Sequence, residues 1–216
     1  MPAALKWTII TAMPPPTRAV IFDWGGVFTR RPPGATRRAF ERRLGVEPGG
    51  LDALFKEEPW LLFSTGRQTQ VDFWTQVCAG FPVPPDTATA MAVWTHLFEA
   101  PKVRPQLVEV LHHLRGRAKL GLLSNAGLEL RELLAPLAGL FDDIVISAEV
   151  GFRKPESQIY RLALQKLGVE PAETLFIDDL PRNVDAARTL GLNAYRFVTP
   201  GRLKFALAGY GLLRET

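Results

Sequence analysis

Five short apolar runs, set apart by helical patterns, constrain the fold of this chain more than any other feature. The runs cover residues 18–22, 119–123, 144–146, 174–177 and 193–198. The helical patterns between the later runs cover residues 106–114, 128–137, 157–167 and 183–190. Strands that alternate with helices form a parallel sheet with helices on both faces. The sequence therefore predicts an α/β fold, a doubly wound parallel sheet, with its ligand site outside the carboxyl ends of the strands.

The segment between the first two predicted strands breaks this alternation. Residues 32–101 contain no run of strand type, only helical patterns at 36–44, 51–56, 70–78 and 87–98, separated by prolines and glycines. We therefore predict that residues 18–31 and 102–216 form the α/β core and that residues 32–101 form an inserted α-helical cap over the site. Residues 1–17, which include three consecutive prolines, are expected to be an N-terminal extension.

Composition excludes several classes of function. The 216 residues are 47% apolar and 22% charged, with a formal net charge of +4, as is typical of a globular protein. The basic residues are scattered, so we expect no nucleic-acid partner. Cys78 is the single cysteine, which leaves no intramolecular disulfide. No run approaches the roughly 18 apolar residues of a membrane span. We expect a cytoplasmic protein without membrane contact, either a monomer or a homodimer.

Acidic residues end two of the apolar runs. Asp23 ends the first run and is followed by two glycines, whose main-chain amides can face an anion. Asp178 and Asp179 end the fourth run as an adjacent pair. Neighbouring carboxylates repel each other in a crowded site, and a bound hard cation relieves that repulsion. Carboxylates and water are the ligands that Mg²⁺ prefers, so the pair indicates a magnesium site.

The other candidates are a hydroxyl, an amide and an amine. Ser124 and Asn125 follow the second run, and Lys154 stands directly before Pro155. Each alone is typical of a turn or a solvated surface. With the carboxylates they supply a nucleophile, a metal site and clamps for a phosphoryl group. The combination predicts phosphoryl-transfer chemistry on a small phosphorylated metabolite.

Four motifs carry a specific resemblance. Residues 20–27 (VIFDWGGV), 122–127 (LLSNAG), 151–156 (GFRKPE) and 176–188 (FIDDLPRNVDAAR) resemble, in order and separation, the motifs of haloacid dehalogenase (HAD) superfamily hydrolases. The insertion at 32–101 is similar to the helical cap of one group in that superfamily. The resemblance implies a Mg²⁺-dependent phosphatase that works through an aspartyl-phosphate.

The resemblance also implies roles for the acidic residues. Asp23 attacks phosphorus. Asp179 binds Mg²⁺ directly, together with Asp23 and the main-chain carbonyl of Gly25. Asp178 acts through the water shell of the metal or by holding Lys154.

Further roles follow from the same resemblance. Ser124 and Asn125 bind phosphate oxygens, and Lys154 neutralises Asp23 and the transferring group. Asn183 supports the metal loop. Trp24, directly after the nucleophile, is a candidate for lining the substrate pocket.

Gly25 departs from the family pattern. Most phosphatases of the family carry a second aspartate there as general acid–base. The Asp-x-Gly-Gly-Val form with Arg-Lys-Pro resembles a branch that includes sugar-phosphate phosphatases, notably at the anomeric carbon. It also admits two alternatives, a metal-free 2-haloacid dehalogenase and a HAD-like binding protein without turnover. The acidic pair favours the phosphatase, because dehalogenases need no metal there.

Overall fold

Five parallel strands form one sheet at the centre of the core. The computed structural model describes residues 16–30, 34–43, 45–50, 58–80, 86–95 and 103–213. The strands are β1 (Ala19–Phe22), β2 (Lys119–Ser124), β3 (Asp143–Ile146), β4 (Thr174–Asp178) and β5 (Asn193–Arg196). Their order is β3-β2-β1-β4-β5, and every neighbouring pair is parallel. Helices flank this sheet, so the predicted α/β fold with a parallel sheet is confirmed.

The helices largely follow the sequence patterns. They are α1 (Gly34–Arg43), α2 (Glu58–Ser64), α3 (Gln70–Ala79), α4 (Thr87–Trp94), α5 (Pro105–Leu114), α6 (Leu130–Leu133), α7 (Ser147–Val150), α8 (Ser157–Leu167), α9 (Pro181–Thr189) and α10 (Pro200–Gly209). Residues 1–15 of the expected extension at 1–17 lie outside the described residues, as does the expected helix at 51–56. No helix in the described ranges combines the length and apolar character needed to cross a membrane.

One expected helix is wrong in its extent. The apolar pattern at 128–137 predicts one continuous helix, but α6 ends at Leu133 and a short 3₁₀ turn follows at Ala138–Leu140. Pro136 accounts for the break, because it has no N–H to donate and its ring clashes with the preceding helical turn. The residue before a proline is also disfavoured in helical geometry.

Both faces of β1 are buried, which places this strand at the centre of the core. Val20 and Phe22 pack into the cluster on one face of the sheet, and Ala19 and Ile21 pack into the cluster on the other. Burial on both faces is the normal state of a central strand in a parallel sheet. Truncation of Phe22 to alanine should therefore cost about 3–5 kcal/mol of unfolding free energy. The strand that carries Asp23 is thus held rigidly from both sides.

Helices α1 to α4, which we call the insertion helices, have a hydrophobic core of their own. Its buried residues are Phe40, Phe63, Phe73, Trp74, Val77, Cys78 and Ala90. Local signals fix helix starts here: Thr69 and Asp72 form a capping box for α3, and Asp86 caps α4. No strand is found among the residues described between β1 and Val103, where an isolated antiparallel bridge joins Thr29 to Val103.

The C-terminal end of α2 is one point at which the insertion helices contact the core. A β-carbon on Gly66 would overlap the carbonyl oxygen of Ala148 in α7, and Gly66 has φ +71°. The Phe63 ring occupies the space that a β-carbon on Gly127 would need. Two glycines therefore allow the close approach, which brings α2 beside the loop that follows β2.

Candidate active site

The carboxyl ends of the central strands bring the acidic candidates together. Phe22 pairs with β2 on one side and with Ile177 of β4 on the other. The next residues along β1 and β4 are Asp23 and Asp178, which therefore lie level at one edge of the sheet. The main-chain N–H of Asp23 donates to the carbonyl oxygen of Ile177 at 2.8 Å. Adjacent strands thus fix the spacing of the two carboxylates.

Lys154 connects three strand ends. Its side chain is 1% exposed, and its Nζ donates to Oδ1 of Asp23 at 2.7 Å and to Oδ2 of Asp178 at 2.7 Å. The third bond, at 2.8 Å, goes to the carbonyl oxygen of Leu123 in β2. All three donors of the ammonium are therefore used, as a buried cation requires. The Lys154 charge is held at the centre of the site.

Asp178 accepts hydrogen bonds at both carboxylate oxygens. Oδ1 accepts from the main-chain N–H of Leu180 at 2.8 Å, and Oδ2 accepts from Lys154 and from Nδ2 of Asn183 at 2.9 Å. The main-chain carbonyl of Asn183 accepts from the Tyr160 hydroxyl at 2.9 Å. Side-chain Oδ1 of Asn183 is buried without a hydrogen-bond partner among the described residues. One buried acceptor next to the site is therefore unsatisfied, a state that costs about 1–3 kcal/mol.

Asn125 and Ser124 differ in their surroundings. The side-chain amide of Asn125 donates to the main-chain carbonyl of Lys154 at 2.8 Å and accepts from its N–H at 2.8 Å. Both ends of the amide are thus occupied by Lys154. Ser124 is buried at the end of β2, and its hydroxyl makes no hydrogen bond in the part of the chain that the structure describes. The Ser124 hydroxyl is thus open to an incoming group, and Asn125 has used one of the two N–H donors of its amide. Phosphate binding by both residues stays a prediction.

The tight loop Trp24–Phe28 follows the nucleophile candidate. Gly25 is exposed with φ −71° and ψ 119°, and no atom lies within 4 Å of the position that a β-carbon would take. Gly26 has φ +85°, which L-residues rarely adopt, so the turn requires glycine there. The Trp24 ring is buried and stacks on Phe28 at a centroid distance of 5.6 Å. It packs in the core cluster, and its pocket-lining role stays a prediction.

Burial and charge act in opposite directions on the central carboxylate. Burial raises the pKa of Asp23 to about 7, Lys154 acts to lower it, and the charges of Asp178 and Asp179 raise it further. For Lys154, burial works against the charged form, but Asp178 and Asp23 outweigh burial and raise the pKa of the ammonium. Three carboxylates, Asp23, Asp178 and Asp179, thus lie around one buried ammonium, so acidic groups are in excess at the centre of the site.

This excess of acidic groups fits a divalent cation. One carboxylate oxygen from each of Asp23, Asp178 and Asp179 lies within 4.8 Å of the others. Carboxylate and carbonyl oxygens suit hard cations such as Mg²⁺. Because both oxygens of Asp178 already accept hydrogen bonds, Asp23, Asp179 and the carbonyl of Gly25 are the groups best suited to bind the cation directly. The unpaired Oδ1 of Asn183 suits a donor such as metal-bound water.

Arg104 lies beside this site, although no sequence pattern indicated it. Its Nε donates to the carbonyl oxygen of Val27 at 3.0 Å, and its guanidinium carbon lies 5.4 Å from the centre of the Phe197 ring. Burial lowers the pKa of Arg104, nearby Arg30 lowers it further, and Asp179 raises it. Arg104 is therefore close enough to Asp179 for their charges to interact.

Arg153 forms a second contact that sequence reasoning did not assign. Its Nη1 donates to Oγ of Ser64 in α2 at 3.3 Å. Burial lowers the pKa of Arg153, and the charge of Arg182 lowers it further. The residue next to Lys154 thus contacts the insertion helices. The position of Arg153 directly before Lys154 is the sequence feature that could have indicated a role for it.

Comparison with protein families and relatives places the chain among known hydrolases. The model of the haloacid dehalogenase-like hydrolases matches residues 17–191. Mouse acyl-CoA dehydrogenase family member 10 is 29% identical over 85% of this chain, but the match spans only 18% of that protein. The sesquiterpene phosphatase astK of Aspergillus oryzae is 30% identical over 81% of this chain and 87% of its own length. Phosphatase MT3486 of Mycobacterium tuberculosis is 29% identical over 82% and 85%.

Solved structures show the same fold at low sequence identity. A HAD-like hydrolase from Porphyromonas gingivalis is 24% identical, with a TM-score of 0.74 over 93% of this chain and 99% of its own. A HAD family enzyme from Bacteroides thetaiotaomicron, solved with magnesium and inorganic phosphate, is 21% identical, with a TM-score of 0.68 over 83% and 93%. The L-2-haloacid dehalogenase of Xanthobacter autotrophicus is 23% identical, with a TM-score of 0.60 over 91% and 84%. The fold therefore occurs both in a haloacid dehalogenase and in an enzyme that binds magnesium and phosphate, so the fold alone does not distinguish the two activities.

Proposed function

We propose that this chain, which belongs to the haloacid dehalogenase-like hydrolases, is a magnesium-dependent phosphatase of small phosphorylated metabolites. The observation that carries the proposal is the cluster of Asp23, Asp178 and Asp179, with carboxylate oxygens within 4.8 Å. A dehalogenase without a metal needs no third carboxylate here, because Lys154 already pairs with Asp23 and Asp178. A phosphatase uses the three carboxylates to hold the cation that neutralises the phosphoryl group.

In the first half-reaction, a carboxylate oxygen of Asp23 attacks phosphorus and the bond from phosphorus to the leaving oxygen breaks. The oxygen of Asp23 that is not bonded to Lys154 receives no hydrogen bond from the described residues. Lys154 holds its proton and offers positive charge to the reacting group, while Asp178 fixes the ammonium in place. The Ser124 hydroxyl and the side-chain amide of Asn125 donate hydrogen bonds to phosphate oxygens. Bound Mg²⁺ would supply charge neutralisation of the phosphoryl oxygens.

In the second half-reaction, water attacks phosphorus and the bond between Asp23 and phosphorus breaks, which releases phosphate and restores the carboxylate. Gly25 stands where most relatives are expected to carry a proton donor and acceptor, so no side chain acts there. Substrates whose leaving oxygen departs without full protonation, such as aryl phosphates or anomeric sugar phosphates, are therefore the favoured class. Residues 32–101 would serve as a helical cap that excludes bulk water from the intermediate.

The experiment is a screen of phosphorylated metabolites for phosphate release, with Mg²⁺ and with excess chelator. Mass spectrometry after a rapid acid quench should find a phosphate adduct on the peptide that contains Asp23. Asp23→Asn should fold and show no adduct, because an amide is a far weaker nucleophile than a carboxylate. An adduct on the Ser124 peptide would mean that the nucleophile is wrongly assigned. Halide release from 2-chloropropionate without metal would replace the proposal with the dehalogenase.

A further inference from the structure

A cleft of about 610 Å³ lies at the amino edge of the sheet, away from the acidic cluster. Arg18, Ala118 and Lys119 border it where β1 and β2 begin, and the loops at 139–142 and 167–169 complete it. Arg18 and Asp23 lie at opposite ends of β1, and an extended chain of this length spans roughly 17 Å. The cleft is therefore separate from the proposed catalytic centre, and the chemistry described above does not account for it.

The charge of this cleft is strongly positive. Four cationic residues line it, Arg18, Arg115, Arg117 and Lys119, against one carboxylate, Asp142. Arg115 and Arg117 are exposed and form no ion pair with any described carboxylate. Two guanidinium groups on one short loop present donors in a planar fork, a geometry that matches phosphate, sulfonate and carboxylate groups.

The other two cations have partners that a ligand could displace. Arg18 lies 3.6 Å from Glu173, with 67% of its side chain exposed. Lys119 lies 3.7 Å from Asp142, with 56% of its side chain exposed. Ion pairs this open to water contribute about 0–1 kcal/mol, so exchanging the carboxylate for a ligand anion costs little.

Apolar side chains form the rest of the wall. They are Leu140, Phe141, Leu167 and Val169. Phe141 is held in place by an edge contact with the Phe28 ring, at a centroid distance of 5.8 Å. Small-molecule sites are typically concave, about 300–1,000 Å³ in volume, and combine apolar walls with a few convergent polar groups. The volume of this cleft falls in that range, and its wall combines apolar side chains with cationic groups.

We propose that the amino-edge cleft binds a small molecule that joins one anionic group to an apolar body. Arg115 and Arg117 hold the anionic group, and the wall around Phe141 covers the apolar body. A nucleic acid fits these observations less well, because the cations surround one concave site rather than follow a stripe with exposed aromatic rings for stacking.

The test uses 2-naphthalenesulfonate, an aromatic anion that the proposed phosphatase cannot hydrolyse. Calorimetric titration of the full chain should give one-to-one binding. The Arg115→Ser/Arg117→Ser double variant should bind at least about tenfold more weakly, since it loses the charged hydrogen bonds. The matched control is Arg161→Ser/Arg202→Ser, which removes two exposed arginines from α8 and α10, away from the cleft. It should bind as the parent does.

Several outcomes would overturn the proposal. The first is that the parent does not bind 2-naphthalenesulfonate. The second is that both double variants bind it equally weakly, which would show a general effect of net charge. Inorganic sulfate that binds as tightly as the naphthalene compound would remove any role for the apolar wall. A single-stranded oligonucleotide that binds through Arg115 and Arg117 while the naphthalene compound does not would assign the cleft to a polyanion. Phosphate release should be equal in all three proteins, which separates this test from that of the proposed function.

Discussion

The side-chain amide of Asn125 and the main chain of Lys154 exchange two hydrogen bonds of 2.8 Å, one in each direction. This pairing fixes the backbone from which the Lys154 side chain reaches Asp23. The residues come from different loops, one after β2 and the other before α8. Asn125 therefore positions the ammonium group of Lys154.

Asn125→Ala should lower the phosphorylation rate by about 10–100-fold, as expected when a supporting contact of a catalytic group is lost. Single-turnover phosphorylation followed by rapid quench measures the rate. The control is Asn193→Ala, which loses a side-chain hydrogen bond to Ala172 far from the site. If both variants keep the parent rate, Asn125 does not position Lys154.

The raised pKa of Asp23 predicts how stability depends on pH in the absence of metal. Burial raises the pKa of this carboxyl from 3.8 to about 7 in the folded chain, so folding favours its neutral form. That contribution is fully present below pH 3.8 and is lost as the pH rises through about 7. Asp23→Asn mimics the neutral carboxyl at every pH. With chelator present, the melting temperature of the variant minus that of the parent should therefore grow from pH 5 to pH 8.

Thermal melts of both proteins in the same buffers measure this difference, and titrations common to both proteins cancel. A difference that stays constant over the range would contradict the raised pKa.

Asp179→Asn should remove most of the Mg²⁺ affinity, because the amide carries no charge to hold the cation. Mg²⁺ should raise the melting temperature of the parent and raise that of the variant much less. The control is Asp185→Asn, an exposed aspartate that pairs with Arg188 at 3.2 Å on α9. Undiminished phosphate release by the parent in excess chelator would refute the metal requirement.

Gly25→Asp should be tolerated and should restore a general acid. Gly25 has φ −71° and open space at the β-carbon position, so aspartate fits without backbone strain. General acid–base catalysis is typically worth about 10²–10⁴-fold. The log of the phosphorylation rate should fall steeply with leaving-group pKa in the parent and less steeply in the variant. A series of substituted phenyl and alkyl phosphates measures both slopes. A shallow slope in the parent would mean that another group already donates the proton.

Gly66→Ala should lower the free energy of unfolding by more than backbone strain alone, because it also disturbs the packing of α2 on the core. A β-carbon there would overlap the carbonyl oxygen of Ala148. The matched control is Gly45→Ala, which has a similar φ of +67° and no atom within 4 Å of the new methyl group. The control should lose about 1–2 kcal/mol through strain. Gly66→Ala should lose more in urea unfolding and should also raise the KM. Equal losses would mean that α2 can move away freely.

The reactive groups of the site could be predicted from the sequence, whereas most of the contacts that support them could not. Asp23 and Asp178 follow apolar runs directly, so adjacent parallel strands must place them together, as they are. The partner of Asn125 is main chain 29 residues away, which no side-chain pattern encodes. Arg104 could not be predicted in the same way, because it precedes a helix and does not follow a strand.

The helices were predictable where periodicity and end signals agreed. Helix α8 has a clear apolar face and ends at Gly168, which has φ +64°, the left-handed geometry of a C-terminal cap. Helix α2 was not predicted, because it has only seven residues and contains Pro59. Helix α10 was not predicted because its sequence contains Gly201 and Gly209, which have low helix propensity.

The separate hydrophobic core of the insertion helices has an evolutionary consequence. Residues such as Phe73 and Trp74 pack against each other, not against the sheet that carries Asp23 and Asp178. Under the proposed cap role, substitutions within this cluster would reshape what faces the substrate and leave the carboxylates in register. Selectivity can drift by mutation while the reaction is conserved, so closely related chains can share one chemistry and differ widely in the metabolites they accept.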